Sequence, residues 1–136
     1  MNQSLSAPVV TRRGAFLLLI GGIYAVVGFA YAAFDLSPNA TAAYAMALTL
    51  APMHVWGTVW CLSGVCAAVT GFWPPSKDAW GFMVLAGWSA LWAVLCACST
   101  LFMASDRGWI SGLIWGAFGG ACMIVSGMDA DRGERV

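Results

Sequence analysis

Apolar and polar positions fall in long blocks along this chain. Four apolar stretches, about Gly14–Phe34, His54–Trp73, Trp80–Met103 and Trp109–Met128, contain no Asp, Glu, Lys or Arg. Each is close to the roughly 20 residues that cross a hydrocarbon core as a helix. The pattern predicts an all-α, polytopic membrane protein: four transmembrane helices in an antiparallel bundle, forming one integral-membrane domain over residues 1–136. The connections Pro74–Asp78 and Ala104–Gly108 are short, so spans two, three and four are expected to be antiparallel neighbours.

The loop Asp35–Met53 is the one long connection. Ser37-Pro38 reads as an N-cap followed by proline at the first helical position. Ala40–Ala51 is rich in helix formers, and Pro52 closes it. Tyr44 with Leu48, and Met46 with Leu50, are spaced one turn apart. The expectation is a short helix lying at the outer interface, with a re-entrant hairpin as the alternative.

Residues Met1–Arg13 read as a polar, loose lead-in. Arg12-Arg13 before an apolar run resembles a twin-arginine signal, but Phe16 falls one place too late. Ala30-Tyr31-Ala32 mimics a cleavage site. The run is longer than a signal h-region, so an uncleaved anchor is expected. Basic residues then set orientation. Arg12, Arg13, Lys77, Arg132 and Arg135 share one side of an even-span topology, with Arg107 on the other. The positive-inside rule places both termini in the cytoplasm, in the cytoplasmic (inner) membrane. The tail acids Asp129, Asp131 and Glu134 hardly alter that rule.

Composition narrows the function. The net charge is zero, with six basic and six acidic residues. No nucleic-acid partner is expected, since that needs a basic patch; the partners expected are the lipid bilayer and a second copy or another membrane protein. Transporters and intramembrane enzymes usually keep an ionisable group at depth, and these spans hold no charged residue. Small multidrug transporters have similar size but depend on a glutamate in their first span, where this chain has Tyr24 and Tyr31. No catalytic set shares one depth, so no enzyme activity is expected. Cys61, Cys66, Cys96, Cys98 and Cys122 all fall inside spans and read as packing residues. Cys96-x-Cys98 lacks the CxxC spacer. His54, the single histidine, sits at an outer mouth beside Met53. It has no second axial ligand for a haem and no neighbouring metal donors. No cofactor and no metal are expected. Asn39-Ala40-Thr41 matches a glycosylation acceptor by chance.

Two patterns remain. Gly108, Gly112, Gly116 and Gly120 recur every fourth residue in span four. Such a groove lets another backbone approach closely in lipid, either inside the chain or between copies. Gly21, Ala25, Gly28 and Ala32 in span one, and Gly64, Ala68 and Gly71 in span two, offer matching faces. The eight tryptophans form the second pattern. Trp56, Trp73, Trp80 and Trp109 mark an aromatic belt at span ends, and Trp60 lies one turn further in. Trp88 and Trp92 lie mid-span, where each indole N–H needs a partner. Ser63, Thr70, Ser89 or a backbone carbonyl is expected to supply one. The readings are bundle packing or a shelf for a lipid tail or quinone.

Trp56-Gly57 with Trp60, Asp78-Ala79-Trp80-Gly81-Phe82, and Trp109-Ile110-Ser111 with Trp115 carry a resemblance. The chain resembles the small four-span membrane proteins of unassigned role found in phages and prophages of actinobacteria. The resemblance covers mainly spans two to four and implies no catalytic residues. The expected function is a non-enzymatic structural or interaction role. The alternatives are a holin-like lesion former in host lysis, and a small-molecule transporter or lipid-binding protein.

Overall fold

The computed structural model describes residues 11–74 and 77–128. The lead-in before Thr11 and the tail residues Asp129, Asp131, Arg132, Glu134 and Arg135 lie outside the described residues. Six helices are described: α1 (Arg12–Ala33), α2 (Pro38–Ala43), α3 (Ala45–Leu50), α4 (Met53–Thr70), α5 (Ala79–Met103) and α6 (Gly108–Gly127). Helices α1, α4, α5 and α6 are long and apolar enough to cross a membrane. They coincide with the four apolar stretches, and the fold is an all-α bundle.

Local chemistry explains the ends. Thr11 caps α1 by accepting from the Gly14 amide at 3.0 Å. Ser37 caps α2, with Pro38 at its first position. Helix α5 ends where Ala104 adopts a left-handed conformation (φ 49°). The Ser105 side chain then accepts from the Gly108 amide and starts α6.

The bundle consists of two tight antiparallel pairs, α1 with α4 and α5 with α6, joined along α4 and α5. Glycine sets the first pair. Gly14, Gly21 and Gly28 recur every seventh residue, as do Gly57, Gly64 and Gly71. They meet in antiparallel order: Gly14 with Gly71, Gly21 with Gly64, Gly28 with Gly57. A Cβ on Gly21 would lie 2.6 Å from the Gly64 carbonyl oxygen, and one on Gly57 would lie 2.7 Å from that of Gly28. The backbones are therefore in direct contact. A seven-residue period keeps the seam aligned in a left-handed crossing. The small faces of spans one and two thus serve each other, and not span four.

Helix α6 packs on α5 through Gly108, Gly112 and Gly119. A Cβ on Gly108 would lie 2.6 Å from the Cys96 carbonyl oxygen, and one on Gly112 3.3 Å from that of Ala93. Gly116 and Gly120 have nothing within 4 Å of a built Cβ. The expected close approach along Gly108, Gly112, Gly116 and Gly120 therefore stops halfway inside this chain. The reason is helical geometry. At 3.6 residues per turn, each step of four advances about 40° around the helix, so the later glycines rotate off the seam.

The long loop between α1 and α4 forms two short helices broken at Tyr44. Their inner face, Ala43, Tyr44 and Ala47, is buried against the bundle, while Leu50 stays exposed. Tyr44 and Leu48, one turn apart, both pack on the core, and Met46 joins them, whereas its spacing partner Leu50 turns outward. Helices α2 and α3 plug one mouth of the bundle against α5 and α6. Ser99 of α5 accepts from the Met46 amide at 3.0 Å, satisfying a free donor at the start of α3.

Candidate functional site

The interior is aromatic. Trp60 of α4 stacks on Trp92 of α5, with centroids 4.7 Å apart and planes at 24°. Trp115 of α6 meets Trp60 at 4.5 Å. Tyr24 of α1 reaches Trp60 and Trp115 edge-on. Tyr44 closes the cluster from the plug, 5.1 Å from Trp92. All five transmembrane or plug elements that border the interior therefore contribute a ring. Such pairs are worth about 0.5–1.5 kcal/mol each beyond their buried area.

Polar groups in this interior divide sharply. The Tyr24 and Ser89 hydroxyls bond each other, and Tyr31 bonds Tyr44 at 3.1 Å. Trp56 Nε1 donates to the Ala47 carbonyl at 2.9 Å; outside the interior, the exposed Trp109 donates to that of Asp106 at 3.1 Å. The indole nitrogens of Trp60, Trp88 and Trp92 are buried without a hydrogen-bond partner among the described residues. The partners expected for them are engaged elsewhere. Ser63 donates to Val59, Thr70 to Ala67, and Ser89 pairs with Tyr24. A buried donor left unsatisfied costs about 1–3 kcal/mol.

Outside the spans, Tyr44 has its phenol pushed well above the usual range, by burial first and then by its bond to Tyr31. Around the plug, Asp35, Thr41, Met53 and His54 line a cavity of about 370 Å³. Among the described residues, no three His, Cys, Asp or Glu side chains form a group able to hold a metal. The five cysteines are free; Cys96 and Cys122 are buried and Cys66 is exposed.

The opposite mouth is tied by charge. Arg13 Nε and Nη2 donate to the two carboxylate oxygens of Asp78 at 3.0 and 2.8 Å, and Nη1 donates to the Ser126 carbonyl at 3.1 Å. The guanidinium also lies 5.0 Å over the Phe82 ring. One side chain thus joins the start of α1, the α4–α5 turn and the end of α6. The sequence marked Arg13 for topology and Asp78 only as the end of a short connection and the start of the Asp78–Phe82 motif. The available signal was that an even-span topology puts both at one end.

Two further cavities lie on the α5–α6 seam. One, about 470 Å³, is lined by residues including Ala93, Thr100, Trp109 and Gly112. The other, about 540 Å³, is lined by residues including Ala90, Ala93, Gly116 and Gly120. They share Ala93 and adjoin along the apolar α5–α6 groove. Of the sequence-selected glycines, Gly112 lines the first cavity and Gly116 and Gly120 the second, while Gly108 is buried in the α5 contact.

The fold defines a multi-pass helical membrane protein in contact with the bilayer. No family model matches the chain, and neither curated proteins nor solved structures give a match.

Proposed function

We propose that this is a non-enzymatic protein of the cytoplasmic membrane, phage- or prophage-encoded, that acts by assembling with further copies of itself. Both termini face the cytoplasm. Assembly uses the α5–α6 groove. One observation carries this reading: Gly116 and Gly120 line an apolar groove, and a Cβ built on either meets nothing within 4 Å. Glycine costs about 1 kcal/mol relative to alanine inside a helix. In lipid, small residues of this kind let a second helix approach closely.

Gly116→Ile and Gly120→Ile test it. Each variant is expected to keep the fold and thermal stability, because a Cβ at either position meets nothing within 4 Å. Each loses the oligomer measured by cross-linking or energy transfer in bilayers. An oligomer of unchanged size in both variants would overturn the proposal. A structural role also implies normal growth and a stable membrane potential at high expression. Sudden growth arrest and dye entry after a delay would instead identify the holin-like alternative.

A further inference from the structure

We infer that the α4–α5 seam binds a neutral hydrogen-bond acceptor through the indole N–H groups of Trp60, Trp88 and Trp92. Three observations combine. The rings form one patch: Trp60 lies 4.7 Å from Trp92, and Trp88 lies 6.4 and 6.5 Å from the two. All three nitrogens are buried without a partner among the described residues, and the side chains of Trp60 and Trp92 are fully buried. The side chains expected to receive them bond elsewhere: Ser63 to Val59, Thr70 to Ala67 and Ser89 to Tyr24.

The chemistry of the occupant follows from the donor set. Three N–H groups and no acceptor require a molecule that brings lone pairs. Depth in the apolar bundle disfavours an anion, since a buried charge needs a counter-charge. The Arg13 guanidinium is bound to Asp78 at the far end of the bundle. A neutral oxygen fits: a water molecule, or the carbonyl of a lipid-soluble molecule such as a quinone or an ester. Trp88 and Trp56 are partly exposed at the edge of the cluster. These two partly exposed rings border the patch on its lipid side. This site is independent of the groove on α6.

Nuclear magnetic resonance on the full chain in lipid nanodiscs, with ¹⁵N-labelled indoles, provides the test. The expected result is a downfield indole proton for Trp60, Trp88 and Trp92, as for a hydrogen-bonded donor. Cross-peaks to water identify water as the source. Cross-peaks to lipid, or to an added short-tailed benzoquinone, identify a carbonyl. Upfield indole protons with neither cross-peak would overturn the inference, because the donors would then point at neighbouring ring faces. Trp60→Phe, Trp88→Phe and Trp92→Phe give a second readout, since each removes the donor and keeps most of the ring. A bound acceptor makes these variants melt lower than the parent; unchanged or raised melting temperatures in all three would count against the site.

Discussion

Asp78 stands at the start of α5, yet its carboxylate turns away from that helix and grips Arg13 with both oxygens. The fork geometry is the strongest form of this pair. Both side chains are largely buried, so removing one strands the other. Asp78→Ala is expected to cost about 3–5 kcal/mol, the usual penalty for breaking a buried pair. Replacing both, Arg13→Met with Asp78→Leu, should recover most of that loss. Thermal unfolding of the two single variants and the double variant in detergent closes the cycle. Additive losses would mean the pair is not coupled.

The α1–α4 seam predicts a contrast between neighbouring glycines. Gly21 abuts the backbone of α4, whereas Gly22 has nothing within 4 Å of a built Cβ. Gly21→Val should prevent stable folding, because backbone cannot yield as a side-chain end can. Gly22→Ala should be neutral or stabilising by up to about 1 kcal/mol through helix propensity. Melting temperatures of the two variants decide the matter; equal effects would place the seam elsewhere.

The plug depends on Ser99. Its hydroxyl accepts from the Met46 amide while donating to the Leu95 carbonyl. Ser99→Ala leaves that amide unpaired, at a cost of about 1–3 kcal/mol. Faster hydrogen exchange at residues 43–48, with α1 and α4 unchanged, is the expected signature.

Tyr44 gives the plug a pH dependence with a definite sign. Burial and the Tyr31 bond raise its phenol above the ordinary value in the folded state. The folded form therefore favours the neutral phenol. Its contribution is complete below the unfolded value of about 10 and declines as pH rises beyond it. Alkaline unfolding should show this decline in the parent and a smaller one in Tyr44→Phe. Phenolate absorbance follows the titration directly.

Orientation is open to a simple test. Arg12, Arg13 and Lys77 lie at the mouth opposite the plug, and Arg107 lies on the plug side. Reporter fusions after residues 36 and 105 should be active only outside the cytoplasm, and fusions after 76 and 136 only inside. A C-terminal fusion active outside would contradict the assignment.

Much of this fold was legible in the chain. Four uncharged stretches of membrane length determine four helices, because backbone amides in lipid must be satisfied within the segment. Ser37-Pro38 determined the start of α2, and the short connections determined which spans lie side by side. What the sequence left open was the rotation of each helix. The Gly108–Gly120 stripe looked like one continuous face, yet only packing on α5 decided that Gly108 and Gly112 are used and Gly116 and Gly120 are not.

The remaining decisions belong to pairs far apart in sequence. The local pattern of an apolar helix barely marks an inner face, since lipid and interior reward the same side chains. Tertiary contact decided that Arg13 meets Asp78, that Tyr24 meets Ser89, and that Trp60 stacks on Trp92. The sequence by itself determined that the chain crosses a membrane and where its helices lie. Only the tertiary structure decided which glycines touch, which indoles lack a partner, and how the long loop closes the bundle, because each depends on two helices approaching in one particular register.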